Sequence, residues 1–395
     1  MNTATANTIL GEAKAIDGWI VDIRRRLHQC PELLYELHAT SKVVTEVLDE
    51  LQIPYQAGIA ETGILATIGN GDSPCVMLRA DMDALPIEEE ADVDFKSKHP
   101  GKMHACGHDC HTAMLLGAAR LLKQQESQLK GTVKFCFQPA EEGGAGAKKM
   151  CDEGIMENPA VDKSFGIHVW PHIPTGQLTG RPGPFLAAAS AFRMVVRGKG
   201  GHAAMPHYAI DPVTTAASII TQVQTIISRE QDPLEAGVIS CTVLRGGDAF
   251  NVIPSEVTIE GTIRALSQEI HGQLTSRLQE IATGIASANR CELEFEIPGV
   301  PYPVTANDPT LWGEVKVLGE TLVGDDNFPI CAPVMGGEDF AFYGEKSSAC
   351  FVALGSGNEA EGCVYGLHHP QFKMDEAALP LGTALHVTFA IENLT

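Results

Sequence analysis

Residues 75–82 read CVMLRADM, an apolar run that is followed by acidic residues. A short apolar run bounded by polar and turn-forming residues is typical of a buried strand. Similar runs predict three more strands in the first half of the chain: GILATIG (63–69), TVKFCFQPA (132–140) and KSFGIHVW (163–170). Helical patterns fall between them, notably at 111–125 and 147–154. Strands that alternate with helices indicate an α/β layer built on a mainly parallel sheet.

Several chemically active side chains lie at or just after the ends of these predicted strands. They are Asp81, Glu141, Glu142 and His168. In open α/β sheets, functional groups gather at the carboxyl ends of the strands. This edge of the sheet is therefore where we expect a functional site.

The pattern changes near GRPGPFLAAAS (180–190), where a compact α+β unit begins. Its predicted strands and helices are strands 191–197, 237–245, 254–264 and 291–297 and helices 211–229 and 267–288. The proline-rich segment IPGVPYPVTAND (297–308) leads back to the α/β style. We therefore predict a discontinuous domain formed by 1–184 and 298–395, with an α+β domain, 185–297, inserted into it.

The composition excludes some classes of protein. The formal net charge of −22 would be repelled by nucleic acids and by anionic membrane surfaces. No stretch approaches the roughly 18 apolar residues that a membrane span needs. The first residues show no signal-peptide pattern. The chain has 11 cysteines, an odd number with irregular spacing, which fits reduced thiols better than a disulfide framework. We therefore expect reduced thiols and a cytoplasmic location.

A cluster of potential metal ligands occurs at residues 104–111, which read HACGHDCH. Cys106 and His108 lie two apart, and Gly107 gives the backbone room to turn. Asp109 is placed to cap the helix that follows. The stretch contains neither a CxxC redox motif nor an HExxH zinc motif. Cys106, taken alone, is more often a packed thiol than a ligand.

Further ligands would have to come from other parts of the chain. Glu142 lies in QPAEEGGAGA, His168 in GIHVWP, and His368 and His369 in GLHHPQF. A single histidine in a strand, such as His168, is more often a core residue. As a set, these donors suit zinc, manganese, cobalt or nickel.

The pair Glu141–Glu142 follows an apolar run and is bounded by glycines. Adjacent carboxylates repel each other, which is unfavourable without a cation. One of them could bind a metal while its neighbour takes a proton from the attacking water. This arrangement favours metal-assisted hydrolysis over a solvated acidic turn.

Motif-like segments follow one another over nearly the whole chain: RRRLHQCPEL (24–33), LRADMDALP (78–86), HACGHDCHTAMLLGAA (104–119), FQPAEEGGAGA (137–147), GIHVWPHIPTG (166–176), GKGGHAAMPH (198–207), NVIPSEVTIEGTIR (251–264), GGEDFAFY (336–343) and LHHPQF (367–372). In this order they resemble the aminoacylase-type metallopeptidases. Within that family they are similar to the cysteine-containing branch of hippurate hydrolases and auxin amino-acid-conjugate hydrolases. The full set of segments is specific for this family, although any single segment would be weak evidence for the resemblance.

The resemblance implies an α/β catalytic domain of the metallo-aminopeptidase/carboxypeptidase type that holds two divalent metal ions. The implied metal ligands are Cys106, His108, Glu142, His168 and His368. A metal-bound hydroxide would attack the substrate, with Glu141 as general base and later as the acid that protonates the leaving amine. Asp81 would orient a ligand histidine.

The resemblance also implies that the inserted domain is a lid and dimerisation domain, giving a homodimer or a higher homo-oligomer. His202, from its own subunit or from the partner, would stabilise the oxyanion. Asn251 and Arg264 would bind the carboxylate of the substrate, which a guanidinium can grip with two hydrogen bonds.

Two positions depart from the wider family. Arg79 stands where the wider family has a metal-binding histidine, as is typical of the cysteine-containing branch, and Cys106 would replace the lost ligand. His369 stands where the C-terminal motif has serine or asparagine. The resemblance favours His368 as the ligand, with His369 as the alternative.

We therefore predict a metal-dependent amidohydrolase that cleaves small N-acyl amino acids, of the N-acetyl, N-benzoyl or indole-acetyl type, to a carboxylic acid and a free amino acid. The alternative is a metallo-dipeptidase or aminopeptidase on the same scaffold. Two further hypotheses do not involve hydrolysis: a metal-binding protein without activity, and a thiol sensor in which Cys106 is the reactive residue.

Overall fold

The computed structural model describes residues 3–395. Its helices are α1 Thr3–Ala15, α2 Asp17–His28, α3 His38–Glu50, α4 His108–Gln124, α5 Gly146–Asp152, α6 Pro212–Thr225, α7 Gln268–Ala288, α8 Pro309–Val323, α9 Ala341–Gly344 and α10 Leu379–Leu394. No helix within residues 3–395 is long and apolar enough to cross a membrane.

The strands are β1 Tyr55–Ile59, β2 Gly63–Gly69, β3 Cys75–Asp81, β4 Thr132–Gln138, β5 Lys163–Pro174, β6 Leu178–Thr179, β7 Gly183–Leu186, β8 Ala188–Arg197, β9 Gly201–His202, β10 Gly237–Arg245, β11 Val252–Ile253, β12 Glu256–Ala265, β13 Glu292–Glu296, β14 Thr305–Asn307 and β15 Ser348–Gly357. The chain divides into two compact units. The first comprises Met1–Gly183, Ala306–Ala332 and Asp339–Thr395, and the second comprises Pro184–Thr305 and Pro333–Glu338.

The first unit contains a seven-stranded sheet in the order β1-β2-β4-β3-β5-β15-β6. The four central strands β4, β3, β5 and β15 are parallel to one another. The predicted α/β class with a mainly parallel central sheet is confirmed. The outer strands are antiparallel, and for β1 and β2 the reason is the three-residue link between them, which is too short for a parallel crossover.

The core of the first unit surrounds this sheet. Every residue of β3 and β4 is buried, as expected for strands that are covered on both faces. Helix α4 is buried along almost its whole length and packs against α2 and α10. Fully buried central strands and the buried start of α4 therefore support the side chains at the ends of the strands.

The second unit has a four-stranded antiparallel sheet in the order β10-β12-β8-β13. Its apolar core includes side chains from the sheet and from α6 and α7, such as Met194, Ile259, Ile219 and Leu278. Strand β10 lies at one edge of the sheet. The segment 298–305, which the sequence prediction assigned to the discontinuous domain, groups with this unit.

Candidate metal centre

The ends of the parallel strands bring the predicted site residues together. Asp81, the last residue of β3, is aligned with Gln138, the last residue of β4. The turn that carries Glu141 and Glu142 follows Gln138 directly, and His168 lies within β5 on the other side of β3. Neighbouring parallel strands therefore deliver these side chains to one edge of the sheet.

Cys106 and His108 enter the same region from the start of α4. Gly107 between them has a φ of +86°, and a Cβ at this position would lie 2.4 Å from Val169 Cγ2. Only glycine avoids both the left-handed strain and this contact. The bend directs both side chains into the interior, where Cys106 is 6% exposed and His108 is fully buried.

The predicted metal ligands lie in mutual contact. Cys106 Sγ lies 3.4 Å from His168 Nε2, and Glu142 Oε1 lies 3.2 Å from His368 Nε2 and 4.0 Å from His108 Nε2. Each of the triads Cys106–His108–His168 and Cys106–Glu142–His368 places its donor atoms within 4.8 Å of one another. The predicted ligand set is therefore gathered in one place in the first unit.

The two neighbouring C-terminal histidines have different surroundings. His368 has a φ of +64° and presents Nε2 to Glu142. The ring of His369 stacks on Tyr365 at 4.5 Å between centroids, and its Nδ1 accepts a hydrogen bond from the Gln371 backbone. The geometry favours His368 over His369 as the ligand.

The hydrogen bonds of His168 and His108 leave particular nitrogens facing the cluster. His168 Nδ1 donates to the Val169 carbonyl at 2.7 Å, so its Nε2 carries the free electron pair. In His108, Nδ1 lies 3.4 Å from Asp83 Oδ1 and Nε2 lies 3.5 Å from Asp81 Oδ2. Both Nε2 atoms are therefore directed toward the other donors.

The cluster contains buried polar atoms whose protein contacts do not form well-directed hydrogen bonds. Within residues 3–395, both ring nitrogens of His108 and Glu142 Oε1 are buried in this way, although Asp83, Asp81 and His368 lie 3.4, 3.5 and 3.2 Å from them. Unsatisfied buried polar atoms are unfavourable and rare in native proteins. A mixed thiol, imidazole and carboxylate set of this kind fits a divalent transition metal.

The electrostatics of the site also favour a cation. Burial would lower the pKa of His108, but Asp81, Asp83 and Glu142 raise it to about 10. Burial, followed by Glu142 and Glu141, raises the pKa of the Cys106 thiol well above its usual range. The excess of negative charge would be offset by a bound metal ion, which would also favour the thiolate.

Asp81 does not face the cluster freely, because its carboxylate is held by two donors. Oδ2 accepts a hydrogen bond from Arg79 Nη1 at 2.8 Å, and Oδ1 accepts one from His111 Nδ1 at 2.6 Å. His111 Nε2 accepts from the Val169 backbone at 2.9 Å, so both its nitrogens are engaged. His111 is thereby removed from the set of possible ligands and supports Asp81.

Arg79 occupies the centre of a buried polar network. Besides Asp81, it donates to Gln138 Oε1 at 2.8 Å and to Asp339 Oδ1 at 3.0 Å. Asp339 in turn accepts hydrogen bonds from Gln138 Nε2 and from the Ala147 backbone at the start of α5. A permanent positive charge therefore lies behind Asp81.

The prediction that Asp109 caps α4 is wrong. The helix begins at His108, its N-cap is Gly107, and no side-chain hydrogen bond caps it. Asp109 Oδ2 instead accepts from Arg24 Nε and His28 Nδ1, both at 2.8 Å. A buried guanidinium is a stronger partner for this carboxylate than a helix amide, and local spacing does not reveal so distant a partner.

Glu141 lies beside the ligand cluster. It is 7% exposed, and its carboxylate belongs to a group with His108 and Glu142 whose donor atoms lie within 4.8 Å of one another. The backbone N–H groups of Glu141 and Glu142 donate to Asp83 Oδ1 at 2.9 Å and Oδ2 at 3.0 Å. The sequence prediction missed Asp83, because its contacts with the Glu141–Glu142 turn join residues 58 positions apart in the chain.

The remaining predicted residues belong to the second unit. His202 in β9 is exposed and pairs with Val252 of β11, and the Asn251 carbonyl accepts from the Ala203 backbone at 3.0 Å. Arg264 in β12 is half-buried, and its Nε donates to Thr262 Oγ1 at 3.0 Å. His202 and Asn251 are thus neighbours. The approach of any of these residues to the metal cluster stays a prediction.

A mainly parallel central sheet with a cluster of thiol, imidazole and carboxylate groups at the ends of its strands is typical of metal-dependent hydrolases. The family model described as peptidase family M20/M25/M40 matches residues 77–392. The chain therefore belongs to this peptidase family, and the predicted family resemblance is confirmed. The prediction of a hydrolase that acts on amide bonds is confirmed as well.

Known relatives extend over most of the chain. The chain is 46% identical over 381 residues to "IAA-amino acid hydrolase ILR1-like 5" of Arabidopsis thaliana, covering 95% of this chain and 87% of the relative. It is 40% identical over 388 residues to "Thermostable carboxypeptidase 2" of Saccharolobus solfataricus, covering 96% and 97%. Among solved structures, the Bacillus subtilis YXEP protein, described as a dinuclear metal binding peptidase from the M20 family, is 35% identical. It covers 96% of this chain and 98% of that chain, with a TM-score of 0.82.

Proposed function

We propose that the protein hydrolyses the amide bond of N-acyl amino acids, releasing a carboxylic acid and a free amino acid. The observation that supports this most strongly is the Cys106, His108, Glu142, His168 and His368 cluster with Glu141 at its side. The relative named as a hydrolase of IAA-amino acids supports the substrate class. The acyl group could be acetyl, benzoyl or indole-acetyl.

The five clustered side chains would hold two divalent ions in each subunit. Zinc suits a site with a thiolate ligand, and manganese, cobalt or nickel suit its imidazole and carboxylate members. When bound, the ions would polarise the amide carbonyl and lower the pKa of a water molecule.

The side chains of the protein would carry out the proton transfers. Glu141 would accept the proton of the attacking water and pass it to the nitrogen of the leaving amine, so that this nitrogen departs as a neutral amine rather than as an amide anion. Its low exposure and the anchored turn would keep the carboxylate close to the reacting atoms. Asp81, locked by Arg79 and His111, would keep the orientation of His108.

The second unit would contribute binding groups. His202 would donate to the oxyanion that develops on the carbonyl oxygen. Arg264 and Asn251 would bind the carboxylate of the amino acid part, because a guanidinium and an amide can both donate to it. These three roles rest on the family resemblance and need testing by substitution.

The proposal is tested with Glu141→Gln, which keeps the size of the side chain but removes its basicity. We expect kcat to fall by about 10²- to 10⁴-fold because general base catalysis is lost, with metal content unchanged. Turnover of N-acetyl amino acids and metal content by mass spectrometry are measured together. Glu157→Gln, at an exposed position, is the matched control. Full activity in Glu141→Gln would exclude this residue as the base.

The second candidate is a metallopeptidase that acts on free peptides, and the carboxypeptidase relative favours it. A dipeptide, like an N-acyl amino acid, releases an amino acid whose amine lies next to a carboxylate, so these two substrates differ only on the acyl side. Comparing kcat/KM for an N-acetyl amino acid with that for the corresponding free dipeptide separates them. A preference for the dipeptide would favour the peptidase.

We also propose a cytoplasmic homodimer or higher homo-oligomer assembled through the second unit. The location is supported by the cysteines, all 11 of which are free thiols.

Assembly is supported by the edge strand β10, which carries the exposed Leu244 and is followed by Phe250, which is 100% exposed. Light scattering of the purified protein measures the number of subunits.

A further inference from the structure

A single buried carboxylate contacts three of the proposed functional residues. Asp83 is 1% exposed. Its Oδ1 accepts from the Glu141 backbone and its Oδ2 from the Glu142 backbone, at 2.9 and 3.0 Å. Oδ1 also lies 3.4 Å from His108 Nδ1. Asp83 thus touches the proposed base and two proposed metal ligands without belonging to the ligand cluster itself.

The backbone that carries Asp83 is held on both sides. The Met82 N–H donates to the Gln138 carbonyl and the Ala84 N–H to the Glu32 carbonyl, both at 2.8 Å. The carboxylate therefore projects from a fixed support, and its position is set by the sheet rather than by a flexible loop.

The turn that Asp83 binds has an unfavourable local conformation. Ala140, just before Glu141, has a backbone φ of +56°, which residues other than glycine rarely adopt. The N–H groups of Glu141 and Glu142 that follow it both bind the Asp83 carboxylate, as successive backbone N–H groups in a turn can bind an anion together. Asp83 supplies this anion, and its two hydrogen bonds offset part of the strain.

We propose that Asp83 is a positioning residue that sets the Glu141 base and the Glu142 and His108 ligands with one carboxylate. This inference rests on the proposed function. Asparagine cannot replace it, because the amide presents an NH₂ group toward one of the two backbone N–H donors. Each of the two backbone N–H groups needs its own carboxylate oxygen, and both oxygens must lie within hydrogen-bond distance of the turn.

The test compares Asp83→Asn with Asp92→Asn, which makes the same change of charge at an exposed position of the following loop. In Asp83→Asn at saturating metal, we expect kcat to fall about 10²-fold through misplacement of Glu141, with KM changed less than about threefold. In the metal-free protein, chelator competition should show a metal affinity about 10- to 100-fold weaker. Asp92→Asn should match the wild type in both measurements.

A purely structural role would lower the melting temperature and leave kcat per metal-loaded molecule unchanged. A kcat within threefold of the wild type, or an unchanged metal affinity, would overturn the proposal. If Asp83→Asn does not fold, Asp83→Glu replaces it, because the added methylene displaces the carboxylate while keeping its charge. The same fall in kcat at constant KM is expected, and wild-type kcat overturns the proposal.

Glu141→Gln is measured in the same series to separate the two hypotheses. If Glu141→Gln is inactive and Asp83→Asn is fully active, the positioning role of Asp83 is wrong and the proposed function stands. If Glu141→Gln is fully active, the proposed mechanism itself fails.

Discussion

Among single residues, Cys106 is the one whose chemistry depends most on a bound cation. Its thiol is buried, and the nearby Glu142 and Glu141 carboxylates oppose its ionisation. A thiolate in this place needs a positive charge beside it. Its contact with His168 Nε2 at 3.4 Å also joins the loop before α4 to strand β5. The residue can therefore act as a ligand only within the assembled cluster.

We predict that Cys106→Ser loses metal, because a serine hydroxyl stays protonated and is a poor ligand for zinc-like ions. Metal content after dialysis should fall well below that of the wild type, with a parallel loss of activity. Cys110→Ser is the control, since Cys110 is an equally buried thiol four residues away that belongs to none of the donor groups. Retention of metal and activity in Cys106→Ser would exclude it as a required ligand.

At the scale of secondary-structure elements, α2 and the start of α4 are joined by buried charges. His28 Nδ1 contacts Asp109 Oδ2 at 2.8 Å, and its Nε2 contacts Glu89 Oε1 at 3.0 Å. Arg24 donates to the same Asp109 oxygen. Burial and Arg24 lower the pKa of His28, but Asp109 and Glu89 outweigh them, so that it lies above its ordinary value.

This raised pKa gives a prediction for the pH dependence of stability. A group with a raised pKa in the folded state stabilises the fold fully below its unfolded pKa, about 6.5 for histidine, and loses that contribution as the pH rises through the folded pKa. The difference in unfolding free energy between the wild type and His28→Gln should therefore shrink above about pH 6.5. Urea unfolding between pH 6 and 9 measures it, with exposed His99→Gln as control. A constant difference would contradict the prediction.

At the scale of the whole molecule, the candidate ligands are distant in sequence and adjacent in space. They are drawn from positions 106 to 368, and all of them lie within the first compact unit. An unfolded chain cannot hold them together, so metal binding and folding of this unit are coupled. The second unit has its own core and contributes no residue to this set.

Removal of metal should accordingly lower the melting temperature. A ligand at 100 times its Kd stabilises the folded state by about 2.7 kcal/mol, and this stabilisation is lost in the apo protein. Calorimetry before and after chelation, followed by addition of zinc or manganese, measures the shift and its recovery. A His168→Ala variant should show a smaller shift than the wild type. An equal melting temperature with and without metal would argue against a site in this unit.

Much of the candidate site could be predicted from the sequence, because many of its residues lie in short segments with recognisable residue types and spacing. The Glu141–Glu142 pair, the Cys106–His108 spacing and the strand ends are all local features. The prediction failed where partners are distant. Asp109 was assigned to the helix cap, whereas Arg24 and His28 bind it. Asp83 was missed because its role depends on a turn almost sixty residues away, which local spacing does not reveal.

By itself, the sequence determined the α/β class through its alternating strand and helix patterns, and its motif segments, by their resemblance to a known family, indicated the amide-hydrolase family and predicted a set of metal ligands. Only the tertiary structure decided which nitrogen of each histidine faces the cluster, that His111 supports Asp81, and that Asp83 holds the Glu141 turn. The physical reason is that hydrogen bonds and burial depend on distances of a few ångströms between segments far apart in the chain, and only the packed sheet sets those distances.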